Sequence, residues 1–403
     1  MLWDEALPEG SASFRTEGKR MEKCIYARKC GGCDMQGVPY EEQLRSKDGI
    51  VRKYLGGLVS RIRPIAGMDE PERYRCKVNA AFGADRRGKA ICGPYERNTH
   101  RIVPADTCMI EDEEADAIIR TIRSLLPSFR IRPYNEDTGY GYLRHVQVRK
   151  GYATGAYMVT LVCTDPKFPS KHNFVSALRA AHPAVETVIL NVNDRRTSMV
   201  LGSRNIVLYG KGWIEDELCG CRFRISPASF YQVNPPQAER LYEAALDMAQ
   251  LSGREHVLDA YCGTGTIGII AASKAGQVTG VELNRDAVRD AIWNAKLSGR
   301  KNVRFVCQDA GEYMGTLKER PDVAILDPPR TGTTPEFIRS LTRLGPDRII
   351  YISCGIDTLA RDLKLMKGQG WSAREARPFD LFPFTDHIEC VVKLVHQKQG
   401  EYL

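Results

Sequence analysis

The amino-acid sequence predicts an α/β chain, with a doubly wound, Rossmann-like parallel sheet in its C-terminal half. An α+β region built on an antiparallel sheet is expected before it. Two patterns carry this reading. After Phe230, short apolar stretches alternate with helical ones, the rhythm of repeated βαβ units. Between about Tyr74 and Arg224, apolar runs are instead separated by Gly, Pro and Asp turn signals. Length adds a third observation, because 403 residues exceed what one hydrophobic core usually holds. The expected division is a tail over 1–23, an α+β region over 24–225 and a Rossmann-like domain over 226–403.

Taken in order, a Cys- and Gly-rich stretch from Cys24 to Cys33 precedes a predicted helix over Tyr40 to Leu55. There Leu44, Ile50, Val51 and Leu55 recur at helical spacing. This helix could pack on the C-terminal domain. Predicted strands in the next region are Lys77–Gly83, His145–Arg149, Tyr157–Cys163, Thr187–Val192 and Asn205–Tyr209, with helices at Glu114–Leu126 and Lys171–Ala181. Pro235-Pro236 opens an amphipathic helix that Gly253 is expected to end. The apolar strands that follow are His256–Tyr261, Val278–Glu282, Val303–Cys307, Val323–Asp327, Arg348–Ser353 and Cys390–Val395.

Apolar residues at 43% and charged residues at 27% describe an ordinary globular chain and argue against a disordered or fibrous one. The formal charge of +8 is moderate. Basic clusters at Lys19-Arg20, Arg86 to Lys89 and Arg144 to Lys150 suit either solvated surface or an RNA-binding face. No run of 18 apolar residues occurs, and the first 23 residues lack the apolar core of a signal peptide. A cytoplasmic protein with no membrane partner is therefore expected. In that reducing compartment the 13 cysteines point to metal binding or catalysis rather than disulfides.

The segment Asp259-Ala260-Tyr261-Cys262-Gly263-Thr264-Gly265-Thr266-Ile267-Gly268 joins a strand to a helix, and its glycines allow a tight turn close to a ligand. Gly263, Gly265 and Gly268 also satisfy the dinucleotide pattern, with Glu282 where a ribose-binding acid belongs. Asp259, however, would repel a pyrophosphate and could pair with the ammonium group of a methionine moiety. Asp327-Pro328-Pro329-Arg330 adds a carboxylate at the sheet's carboxyl edge, where ligands of such sheets bind. Both features favour S-adenosylmethionine over a dinucleotide.

Cys354 ends the fifth strand of this series beside the Asp327 loop, and the helix that follows offers an N-terminus to depress its pKa. Glu389 stands just before the last strand. A thiol and a carboxylate near a methyl donor suit methylation of pyrimidine carbon 5. That carbon becomes nucleophilic only after a thiolate adds to carbon 6, and a base must then remove its proton.

Cys24, Cys30 and Cys33, spaced C-x5-C-x2-C, suggest soft-metal ligation by zinc or an iron–sulfur cluster. Spacing leaves Cys76, Cys92 and Cys108 open as the fourth ligand.

Together these motifs resemble the bacterial RNA uridine-5-methyltransferases, which modify 23S ribosomal RNA or the T-loop of tRNA. The matching segments run from about Cys24 to Leu394: Cys30-Gly31-Gly32-Cys33, Tyr74-Arg75-Cys76-Lys77, Phe230-Tyr231-Gln232-Val233-Asn234, Tyr261 to Gly265, Asp327 to Arg330, Ser353-Cys354 and His387-Ile388-Glu389. The resemblance implies that Cys354 is the nucleophile and Glu389 the proton acceptor. It implies contacts to S-adenosylmethionine from Gln232, Tyr261, Thr266, Glu282, Asp309 and Asp327. It further implies a 4Fe-4S cluster on Cys24, Cys30, Cys33 and Cys108, and an RNA-binding role for the strand-rich middle.

Three departures stand out. The chain resembles the shorter members without a small N-terminal β-barrel, which makes 23S rRNA the preferred target and tRNA the alternative; a monomer is expected. Gly355 stands where an asparagine usually follows the catalytic cysteine. Met1 to Arg20 matches nothing recognisable. A cytosine-5 enzyme would carry a cysteine in the loop Asp327 to Gly332, and an adenine N6 enzyme an aromatic residue at Arg330. A non-catalytic RNA-binding protein on the same fold would not be expected to keep Cys354, Glu389 and Gln232 together.

Overall fold

The computed structural model describes residues 24–317 and 319–397; the expected tail over 1–23 lies outside them. Helix α1 (Tyr40–Leu55) and strand β1 (Val59–Ile62) come first. Next follow β2 (Lys77–Ala84), β3 (Ala90–Gly93), α2 (Glu113–Leu125), β4 (Leu143–Lys150), β5 (Tyr157–Cys163), α3 (Lys171–Ala181), β6 (Val185–Val192) and β7 (Arg204–Tyr209). A hairpin, β8 (Ile214–Leu218) and β9 (Cys221–Ile225), precedes α4 (Pro235–Ala249). The βα units are β10 (His256–Ala260), α5 (Thr266–Ala271), β11 (Gln277–Glu282), α6 (Arg285–Leu297), β12 (Val303–Cys307), α7 (Ala310–Thr316), β13 (Val323–Leu326), α8 (Pro335–Leu344), β14 (Arg348–Ser353) and α9 (Ile356–Gly368). The last strands are β15 (Trp371–Phe379) and β16 (Glu389–His396).

The larger sheet has the order β1-β15-β16-β14-β13-β10-β11-β12. β16 runs antiparallel to both its neighbours, and the other pairings are parallel. β10 lies between β11 and β13, so the chain reverses its direction of winding beside the glycine loop. That crevice is where open α/β sheets take their ligands. Two apolar layers cover the sheet, one including α4 and α5 and the other α1, α8 and α9.

The second sheet, β3-β2-β4-β5-β6-β7, departs from the all-antiparallel expectation because β5 and β6 pair in parallel. Helix α3 supplies the crossover such a pair requires. Its apolar face, with Val78, Val146, Val148, Val159 and Leu190, packs on α2 and α3.

Tyr40–Ile62 sits with the larger sheet. β1 is its edge strand beside β15, and Val51 and Leu55 of α1 join its core. The buried ion pair Lys47 Nζ–Asp380 Oδ1, 2.7 Å, ties α1 to the loop after β15. The β8–β9 hairpin packs on the opposite layer, with Leu218, Phe223 and Ile225 against α4 and α5. Helix α4 ends at Gln250, which adopts a left-handed conformation (φ 51°), before the expected stop at Gly253.

Candidate active site

The glycine loop is shaped by backbone strain that most side chains resist. Tyr261, Gly263 and Gly265 have φ of 67°, 55° and 81°. A Cβ on Gly265 would stand 2.7 Å from Phe305 and 2.9 Å from Ala291. The Gly263 N–H donates to Glu282 Oε2 at 3.1 Å, so the acid at the end of β11 holds the loop. Asp309 caps α7, accepting from the N–H groups of Gly311 and Glu312.

The carboxyl edge of the sheet opens into a cavity of about 660 Å³ lined by Gln232, Tyr261, Thr266, Asp327, Cys354 and Glu389. A second cavity of about 330 Å³ is lined by Glu282 and Asp309, and shares Tyr261, Asp327 and Pro329 with the first. All eight residues singled out for cofactor binding and catalysis therefore face one continuous cleft. Asp259 does not line it: its side chain lies beneath the loop, with Oδ2 accepting from the Gly268 N–H at 2.8 Å. The expected pairing of Asp259 with an ammonium group is replaced by this cap on α5.

Two buried carboxyls, Asp327 and Glu389, line the cleft, and a third, Asp259, lies beneath its loop. Burial pushes Asp327 up to about 7. Burial and the nearby Asp327 push Glu389 up to about 8, against the opposing Arg330. Asp259 rises to about 8 for the same two reasons, burial first and then Asp327. The thiol of Cys354 is pushed up to about 11 by burial, Glu389 and Asp327, which outweigh Arg330. This reverses the expectation that the start of α9 depresses it. Desolvation and two carboxylates exceed the pull of a helix terminus.

Gly355 has a local reason. A Cβ there would meet the Thr358 hydroxyl at 2.6 Å and the Arg330 carbonyl at 3.1 Å. The same hydroxyl donates to the Arg330 carbonyl at 3.0 Å, tying the loop after β13 to α9.

Sequence reasoning missed Tyr242 and gave no role to Phe230, Arg75 and His387 of the matched segments; all four also line the cavity. Tyr242 reads in the sequence as one more apolar position on α4. It lies beside Gln232, and burial raises its hydroxyl pKa, with Asp327 and Glu389 adding to the effect. His387 meets the Arg330 guanidinium at the mouth, and only the turn of the 380–388 loop brings the two together.

Cys24, Cys30, Cys33 and Cys108 are all partly buried. Cys33 lies within electrostatic reach of Cys24 and Cys30, and Cys33 and Cys108 pack on the apolar cluster of Tyr74, Ile110 and Phe384. Among the described residues, no group of three or more His, Cys, Asp or Glu side chains is arranged to hold a metal ion. Burial pushes the thiols of Cys30, Cys33 and Cys108 up. Cys76 and Cys92 lie apart, the first against the Gln232 carbonyl (3.5 Å) and the second beside Arg123.

Residues 208–397 match the family model of the tRNA (uracil-5-)-methyltransferases. A protein from Oceanobacillus iheyensis, described as an uncharacterized RNA methyltransferase, is 38% identical over 94% of this chain and 84% of its own. One of the same description from Caldanaerobacter subterraneus is 41% identical over 91% and 82%. The chain belongs to the RNA uracil-5-methyltransferase family. These enzymes use S-adenosylmethionine. The Pyrococcus abyssi tRNA (uracil-54, C5)-methyltransferase, solved with S-adenosyl-L-homocysteine, superposes with a TM-score of 0.78 at 26% identity, over 91% of this chain and 86% of that one. None of the described helices is long and apolar enough to cross a membrane.

Proposed function

We propose that this uracil-5-methyltransferase attacks carbon 6 of a target uridine with the Cys354 thiolate and removes the carbon 5 proton with Glu389. The observation that carries the reading is the convergence of Cys354, Glu389 and Asp327 with the glycine-loop residues Tyr261 and Thr266 on one cavity. Cys354 forms a bond to carbon 6, and the electron pair moves onto the 4-carbonyl oxygen. S-adenosylmethionine supplies the methyl group, which carbon 5 takes with release of S-adenosylhomocysteine. Glu389 then accepts the carbon 5 proton, and the C6–S bond breaks to restore the double bond and the thiolate. Without cofactor Glu389 is raised to about 8, so it must be ionised before it can accept that proton, and a cofactor cation bound beside it favours the ionised form. Gln232, Tyr261, Thr266, Glu282, Asp309 and Asp327 would hold the cofactor across the two cavities.

Residues 24–225 supply much of the RNA-binding surface in this reading, and the protein acts as a monomer. The target of first choice is 23S rRNA, expected from the resemblance to shorter family members. The likeness to a tRNA (uracil-54, C5)-methyltransferase favours a tRNA uridine as the second reading. Cys24, Cys30, Cys33 and Cys108 would carry a 4Fe-4S cluster with a structural role. Its support is the resemblance and the gathering of Cys24, Cys30 and Cys33 in one loop. Iron and sulfide analysis of protein prepared without oxygen, wild type against Cys30→Ser, tests it. The reaction is tested by incubating ribosomal and transfer RNA with labelled S-adenosylmethionine and mapping the label by mass spectrometry. Label at uridine carbon 5 that Cys354→Ala abolishes supports the mechanism. Label that persists in that variant overturns the role of Cys354.

A further inference from the structure

Of the three tryptophans among the described residues, Trp371 is buried in the core, whereas Trp213, partly exposed, and Trp293, exposed, both lie beside Arg224 at the surface. Trp293 is 48% exposed. The Arg224 guanidinium lies over both rings, 5.0 Å from the Trp213 centroid and 5.4 Å from that of Trp293. Lys211 Nζ stands 4.9 Å from the Trp213 ring. An exposed indole with cations set over its neighbours offers a flat surface on which another planar group can stack.

The patch is wired to the active-site cleft. Arg224 N–H donates to Asn294 Oδ1 at 2.9 Å, and Asn294 Nδ2 donates to the carbonyl of Thr264 at 3.1 Å. The Thr264 hydroxyl donates to the carbonyl of Phe230. Phe230 lines the cavity and is 65% exposed. Toward the hairpin the surface becomes acidic, since Glu215 and Glu217 face outward there and Glu215 pairs with Arg222. Asp290, half-buried beside Arg224, is the carboxylate that faces the cation from α6. The aromatic patch is therefore bounded on its hairpin side, and a chain of hydrogen bonds links it to the cavity-lining Phe230 on the other.

We propose that Trp213, Arg224 and Trp293 form a stacking platform for unpaired bases of the RNA flanking the target uridine, with Lys211 contacting a phosphate. Planar bases stack on indole and guanidinium planes without regard to sequence, and the cations match the phosphate charge. The platform would lead the strand past Phe230 into the cleft. This rests on the proposed function and adds the path of the substrate.

The test is binding of a fluorescent twelve-nucleotide oligouridylate to wild type, Trp293→Ala, Trp293→Phe, Trp213→Ala and Lys211→Ala. Each Trp→Ala variant should bind about tenfold more weakly, while Trp293→Phe, which keeps a ring, should recover most of the loss. Lys211→Ala should lower the slope of log affinity against log salt by roughly 0.7. Unchanged affinity for S-adenosylhomocysteine shows that the variants are folded. Trp→Ala variants that bind as wild type overturn the inference, as does a wild type that ignores the oligouridylate. Methylation of bulk RNA by wild type, measured in parallel, distinguishes these failures from a failure of the proposed reaction.

Discussion

Replacing Glu389 by Gln should make the cofactor-free protein less sensitive to alkaline pH. Glu389 is 7% exposed and rises from an ordinary 4.5 to about 8. The folded state therefore binds the proton more tightly than the unfolded state. The stability this contributes is complete below the ordinary carboxyl range and is lost as pH rises through about 8. Between pH 6 and pH 9 the unfolded carboxyl is ionised throughout, while the folded one must ionise in a desolvated site. Linkage puts the loss at about 2–3 kcal/mol for this group alone. With about 2 cal/mol/K of unfolding entropy per residue, that corresponds to a fall in Tm of about 3 °C. Gln keeps the shape and removes the titration. Scanning calorimetry of wild type and Glu389→Gln at pH 6, 7, 8 and 9 should show the curves diverging from pH 6 to pH 8 and levelling off above it, the variant losing less stability. Parallel curves across that range would refute the premise that Glu389 is protonated at neutral pH.

Further outcomes follow from other contacts. Alkylation of Cys354 by iodoacetamide, followed on its tryptic peptide, should be slow at pH 7 and rise about tenfold per pH unit toward its pKa of about 11. A rate that is flat from pH 7 to 9 would contradict the raised thiol. Gly265→Ala should cost about 1–3 kcal/mol, from a left-handed φ of 81° and a Cβ 2.7 Å from Phe305. It should weaken S-adenosylhomocysteine binding in calorimetry. Lys47→Met should cost about 3–5 kcal/mol in urea unfolding, because it leaves the fully enclosed Asp380 unpaired. Adding Asp380→Asn should recover much of that loss.

The sequence revealed most where one physical signal was strong. The five parallel strands β10 to β14 are short apolar runs between helices, and Arg348–Ser353 and Val303–Cys307 have the bounds expected. Tyr40–Leu55 likewise shows helical spacing from end to end. β15 was hidden because Arg374, Glu375 and Arg377 interrupt its alternation, and Arg63 and Asp247 pair with Glu375 and Arg377 only in the folded sheet. β8 was hidden by Glu215-Asp216-Glu217, although Ile214 and Leu218 bury their side chains on one face. β1 carries two exposed positions among four, and its strand character comes from β15 alone. At the site, residues with a distinctive chemistry in a distinctive place were legible. Tyr242 and His387 were not, since their roles depend on which way a helix turns and where a loop returns. Electrostatics was the least legible. The order of Asp, Pro and Cys in the chain does not reveal that Asp327, Glu389 and Asp259 share one desolvated region.

That shared region implies a rule for ligand choice. Asp327, Glu389 and Asp259 are raised to about 7, 8 and 8, with Asp327 raising both of the others. Each carboxyl that ionises makes the next harder to ionise, so the site favours a cation. S-adenosylmethionine carries a sulfonium charge that S-adenosylhomocysteine lacks, so transfer of the methyl group removes the feature the carboxylates attract. A cation bound beside them lowers their pKa values, and by linkage its affinity must rise as pH climbs through 7 to 8. The neutral product gains no such advantage. Calorimetric affinities of the two compounds at pH 6 and pH 9 should therefore show the preference for S-adenosylmethionine growing about tenfold or more. In Asp327→Asn the growth should shrink. A ratio that does not change with pH would mean that the carboxyls stay neutral around the bound cofactor, and that product leaves for reasons other than charge.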